Sequence, residues 1–255
     1  MAGTVRFETQ DAVATLTFDN PAKRNCFTPA MLGELEAAAR EIAANPALAV
    51  VILQGSGDKA FCAGADFDAL TEGGDITAAF GRMEAASSRA VAAMADIEIP
   101  IVASIRGACF GGGVQMSLLA DIRIAADVAR FCIPAVALGI VYPLEAVSKI
   151  TQLCGPGAAN RLLIGGERID AAEAKAIGLI EEVVPAADLD NRVAAFAAHI
   201  CSQSSAAARA YKAIIAGFAA GEKAETLAPI QDAAHAQGDI IARLEEVART
   251  RAAKG

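Results

Sequence analysis

"ACFGGGVQMSLLADIRIAAD", residues 108–127, decides how this chain is read. Three consecutive glycines, Gly111, Gly112 and Gly113, stand directly before an apolar stretch of helical character. Glycine at a helix start costs backbone entropy, so three in a row imply a backbone that something approaches closely. A helix N-terminus is also a natural place for negative charge, because its first N–H groups lack partners. Gln115 is the first side chain there able to hydrogen bond. A second loop of small residues, "AFCAGAD" at 60–66, also follows a buried-strand pattern. Either loop alone reads as a tight turn packed on the core. Together they can each supply one N–H to a single oxygen, which is the construction of an oxyanion hole for an enolate or a tetrahedral intermediate.

Working outward, "IVASIRG" (101–107) reads as the buried strand feeding the glycine loop, with "VQMSLLA" as the helix and "DIRIAAD" as the next strand. "LAVVILQG" (48–55) is a β-branched run short enough for a buried parallel strand. "TVRFETQ" and "AVATLTF" alternate about Asp11 and read as a hairpin. Thr28 and Pro29 form an N-cap and first-turn pair opening a helix through about Ala43, and another helix runs roughly from Ile76 to Ala95. The order strand, loop, helix, strand repeats, which favours right-handed βαβ units and an α/β class. Beyond Pro143 helices dominate, broken at "CGPG" and "IGGERID". Asp170 and Glu173 cap a short helix that stops at Gly178. The expected division is an α/β core over 1–185 and a helical region over 186–255.

Composition narrows the function. At 255 residues, with 55% hydrophobic residues and no Trp, the chain can bury one large core. A formal charge of −8, with no Lys/Arg cluster longer than Lys23-Arg24, argues against a nucleic-acid surface. No apolar run reaches a membrane span and the N-terminus lacks a secretory pattern, so the expected address is cytoplasmic. The six cysteines form neither CxxC pairs nor zinc spacing and read as reduced and structural, and no metal site is expected. Gly55-x-Gly57-x-x-Ala60 follows a strand but lacks the helix and the later acid that a dinucleotide site needs. His199 and His235 have no triad partners and read as surface or interface residues.

Over nearly its whole length the chain resembles the crotonase superfamily, the enoyl-CoA hydratase/isomerase family. "NPAKRNCFTPAMLGEL" looks like the family's first CoA-contact loop, and "VVILQGSGDKAFCAGADF" is similar to its most recognisable segment. "IVASIRGACFGGGVQMSLLADIRIAAD" resembles the second signature and "GLIEEVVP" the late strand. The resemblance implies repeated ββα units, a C-terminal helical trimerisation region, a homotrimer or a hexamer of two trimers, and an acyl-CoA ligand with no separate cofactor. By position, the oxyanion N–H groups would be those of Ala65 and Gly112. Gly111 would lie beside the substrate, Lys23 and Arg24 near the CoA phosphates, and Ala63 and Asp66 near the adenine end.

The resemblance also implies departures. Hydratases of this family carry glutamates where this chain has Gln115 and Ala135, and some isomerases use an Asp near Pro143. All three positions are neutral here. An amide can hold water but cannot take its proton, so the expectation is an atypical lyase or isomerase that stabilises a thioester enolate. The acid/base role would fall to Glu145, to Tyr142 as a phenol donor, or to a group on the substrate. As a first-turn acid, Glu145 also has a plain reading as a helix-dipole partner. The rivals are an ordinary enoyl-CoA hydratase or isomerase of fatty-acid metabolism and a non-catalytic acyl-CoA-binding protein.

Overall fold

The computed structural model describes residues 3–71, 73–236 and 239–252. An antiparallel hairpin of β1 (Thr4–Gln10) and β2 (Val13–Asp19) leads to α1 (Pro29–Ala43), with the Thr28 side chain accepting from Met31 N–H as its cap. Next come β3 (Val50–Gly55), β4 (Ala60–Cys62), the short α2 (Phe67–Thr71) and α3 (Ile76–Ala95). Then β5 (Ile101–Ile105), β6 (Ala108–Phe110) and α4 (Gly112–Ser117) repeat the two-strands-then-helix order. So do β7 (Ile122–Ala126), β8 (Arg130–Cys132) and α5 (Leu144–Leu163), the last broken at Gly155 within "CGPG". The chain continues through β9 (Ile169–Asp170), α6 (Ala171–Ala176) and β10 (Glu182–Val184). It then becomes helical: α7 (Leu189–Ser202), α8 (Ser205–Ala219), α9 (Ala224–Ala236) and α10 (Asp239–Ala252).

From β3 to β8 the first strand of each repeat enters one sheet and the second enters another, whereas β1 and β2 both join the larger sheet. The large sheet runs β1-β2-β3-β5-β7-β10, parallel from β2 onward; the small sheet runs β4-β6-β8-β9, parallel over its first three strands. The ββα repeat is therefore present. The central strands β3 and β5 are mostly apolar because both faces are covered, whereas the edge strand β1 alternates and is largely exposed. On β3, Val51 and Leu53 face the main core with α1 and α3, while Val50 faces a second layer built from Leu189, Val193 and Ala197 of α7.

Two expectations need correction. "SGDKAFCAGADFDAL" and the start of the glycine segment, read as loops, contain β4, α2 and β6. Three-residue strands of Ala, Cys and Phe are too short to show a period of two. The helix expected over "VQMSLLA" spans Gly112–Ser117 instead, so two of the glycines form its first turn. After Gly57 the chain enters β4 and no helix, which removes the geometry a dinucleotide site requires.

Candidate active site

β4 and β6 are parallel neighbours, pairing Ala60 with Ala108 and Cys62 with Cys109, so the loops after them emerge side by side. A methyl group on Gly64 would lie 3.3 Å from the Phe110 carbonyl oxygen and 3.5 Å from the Gly112 nitrogen. Ala65 is clamped by Phe27. Phe27 N–H donates to the Gly64 carbonyl at 2.8 Å, and Asp66 N–H donates to the Phe27 carbonyl at 2.8 Å. In such a parallel bridge the central residue turns its own N–H away from the partner strand. Gly112 opens α4, so its N–H has no acceptor one turn back. Among the described residues neither the Ala65 nor the Gly112 N–H finds an acceptor.

Gly111, with φ 47° and ψ −119°, occupies backbone space closed to other residues. Its N–H donates to the Cys132 carbonyl at 2.9 Å, and its carbonyl accepts from Gln115 N–H at 3.2 Å and from the Tyr142 hydroxyl. Tyr142 is buried, and burial pushes its phenol well above the usual range. Ala135, also buried, lies in the turn Pro134–Leu138, and Pro134 Cδ would touch a methyl on Gly111 at 4.0 Å. The structure thus gathers Gly64, Ala65, Gly111, Gly112, Ala135 and Tyr142. Gln115, one turn into α4, is half-buried, and among the described residues its side-chain amide has no partner. Glu145 is exposed in the first turn of α5, without an ion pair among the described residues. The phenol donor expected of Tyr142 is thus directed at a backbone carbonyl.

At the other end of β4, Pro21, Arg24, Asn25 and residues 56–60 line a cavity of about 150 Å³. Its acid, Asp58, pairs with Arg106 at 3.1 Å. Among the described residues Arg24 and Lys59 have no ion-pair partner. The model of the family described as enoyl-CoA hydratase/isomerase matches residues 8–237, which is most of the chain.

The chain belongs to the enoyl-CoA hydratase/isomerase family. It is 34% identical to a crotonyl-CoA hydratase of Syntrophomonas wolfei, over 81% of this chain and 78% of that one. It is 32% identical to a short-chain-enoyl-CoA hydratase of Clostridium acetobutylicum, over 83% and 80%. Among solved structures, an enoyl-CoA hydratase from Bacillus anthracis superposes with a TM-score of 0.86 at 28% identity, covering 97% of this chain and 96% of that one. Its α/β architecture is the crotonase fold.

In this family member the expected CoA-contact residues divide. Lys23 Nζ bridges Asp66 at 2.8 Å and Asp68 at 2.7 Å, and those hydrogen bonds raise its pKa. Asp66 is buried and also accepts from Asp68 N–H, so its carboxylate is engaged within the loop. Ala63 N–H donates to the Arg24 carbonyl at 3.0 Å. Arg24 alone of the basic pair faces the cavity. Sequence reasoning passed over Lys59 and Asn25. Asn25 is fully buried with φ 57°, donating to Ser56 and Ala60 carbonyls and accepting from Asn20 N–H and Ser56 Oγ. An Asn between a basic pair and an apolar run is the available signal, because Asn tolerates left-handed backbone. His199 and His235 are exposed. Among the described residues no group of three or more His, Cys, Asp or Glu could hold a metal ion, and no helix is long and apolar enough to cross a membrane.

Proposed function

We propose that this family member binds an acyl-CoA thioester and stabilises its enolate between the N–H groups of Ala65 and Gly112. The observation that carries the reading is that these two groups stand on adjoining loops and neither has an acceptor. Donors held in place before reaction stabilise developing oxyanion charge without reorganising. Arg24 and Lys59 would meet the phosphates at the start of β4, with Ala63 toward the adenine. From Ala60 to Ala65 the chain spans at most about 17 Å, which allows one elongated ligand to reach both ends. Lys23 and Asp66 would hold the loop between them.

Hydrating an enoyl thioester needs a base to take a proton from water and an acid to deliver one to Cα. Each is typically worth about 10²–10⁴-fold. Gln115, Ala135 and Pro143 supply neither, and the Tyr142 proton is directed at Gly111. The chemistry proposed is an atypical lyase or isomerase reaction, with Glu145 or a substrate-borne group moving the proton. The names of the relatives favour the second reading, an ordinary enoyl-CoA hydratase, equally well. A cytoplasmic homotrimer or hexamer is proposed with it. The exposed apolar side chains Tyr211, Ile215 and Phe218 of α8 support such an assembly.

Crotonyl-CoA hydration separates the readings. The wild type is expected near background, with Gln115→Glu plus Ala135→Glu raising turnover by about 10²-fold or more. Wild-type turnover typical of a good hydratase would establish the ordinary reading. Wild-type binding of acyl-CoA with no turnover of any acyl-CoA offered would favour a binding protein.

A further inference from the structure

We infer that Tyr142 is a positioning residue for the oxyanion site, acting through the Gly111–Gly112 peptide rather than by touching the substrate. The inference rests on the oxyanion reading above and goes one step deeper. A peptide group is planar, and here it is trans. The carbonyl of Gly111 and the N–H of Gly112 therefore belong to one rigid unit and point in opposite directions. Whatever fixes the carbonyl aims the N–H.

Two donors fix that carbonyl: Gln115 N–H, from within α4, and the Tyr142 hydroxyl, from the segment ahead of α5. The first is ordinary helix geometry. The second is imported from 31 residues away. It is needed because Gly111 and Gly112 have no side chains to restrain the peptide, and Gly111 has the widest backbone freedom of any residue type. A hydrogen bond to the carbonyl also polarises the amide, making its N–H a stronger donor, since chained hydrogen bonds strengthen one another. Tyr142 is 9% exposed, and its hydroxyl also meets the backbone N–H of Gln115, so phenol, carbonyl and helix N–H form one buried cluster. A phenol so buried holds its proton at every working pH, so the bond does not lapse through ionisation.

The test is the carbonyl stretch of butyryl-CoA labelled with ¹³C at the thioester carbonyl, recorded free and bound by difference infrared spectroscopy. Bound to the wild type, the band is expected to move to lower frequency. In Tyr142→Phe the displacement should shrink, but by less than half, while affinity changes less than about threefold, since one donor of two is loosened and none removed. Circular dichroism checks that the variant folds. A second measurement avoids any loss of packing. The chain has two tyrosines, so growth on 3-fluorotyrosine in a Tyr211→Phe background labels Tyr142 alone, and the more acidic phenol should enlarge the displacement. An unchanged band in Tyr142→Phe and in the fluorinated protein would overturn the positioning role while leaving the oxyanion reading intact. A wild-type band that does not move on binding would overturn both.

Discussion

Gly113 shows how narrowly a single residue is constrained here. A methyl group on it would lie 2.1 Å from the Cys62 carbonyl oxygen, a backbone atom of β4 that cannot swing aside. Gly113→Ala is therefore expected to force α4 off the small sheet and cost about 2–3 kcal/mol or more, as overpacking does. Urea titration of the folded variant reads this directly, and a midpoint equal to the wild type would refute it. All three glycines are visible in the sequence as a group, but their separate tasks are not. Gly111 serves a backbone conformation, Gly112 an exposed N–H, and Gly113 close packing. Those roles depend on Cys62 and Gly64, which lie some fifty residues earlier. Gln115 and Ala135 are legible as neutral residues, whereas the engagement of the Tyr142 hydroxyl with Gly111 had no sequence signal at all.

Among elements, the two loops at either end of β4 are held by different devices. One is the Phe27–Ala65 bridge. The other is Asn25, whose side chain joins the turn after β2 to the turn before β4. Removing it leaves the Ser56 and Ala60 carbonyls and the Asn20 N–H short of a partner. A buried group so orphaned costs about 1–3 kcal/mol. Asn25→Ala is expected to lower the melting temperature and also weaken CoA binding, because Arg24 is carried on the same turn. Calorimetry and a CoA titration check both, and undiminished CoA affinity would detach the cavity beside Arg24 from ligand binding. Long elements were readable: α1 and α3 lie where capping and periodicity put them. The small sheet was not, because its strands take their stability from neighbours in other repeats and not from their own three residues.

For the molecule as a whole, the interior contains ionisable groups that folding keeps neutral. Cys62 and Cys109 are fully buried; burial pushes Cys109 up to about 12 and Cys62 well above the usual thiol range. In the unfolded chain these thiols ionise from roughly pH 8.5. Above that pH the unfolded state binds fewer protons than the folded state, so stability falls as pH rises. Below it, this contribution is constant. Each thiol adds a slope of about 1.4 kcal/mol per pH unit until its folded pKa is reached. Under reducing conditions, urea midpoints should be flat from pH 7 to 8 and decline toward pH 10. Cys109→Ala should make that decline shallower, whatever it does to stability at pH 7. Parallel declines in the two proteins would rule Cys109 out.

Local chemistry was enough to determine the α/β class, the buried runs that became β3 and β5, the starts of α1, α3 and α6, and the pair of small-residue loops that suggest a site. These follow from side-chain periodicity, capping and backbone freedom, which act over a few residues. Only the tertiary structure decided that β4 and β6 lie side by side, that Lys23 is occupied by Asp66 while Arg24 faces a cavity with Lys59, and that Tyr142 reaches Gly111. Each of those contacts joins segments more than thirty residues apart. No local pattern records them, because the energy that makes them belongs to the packed molecule.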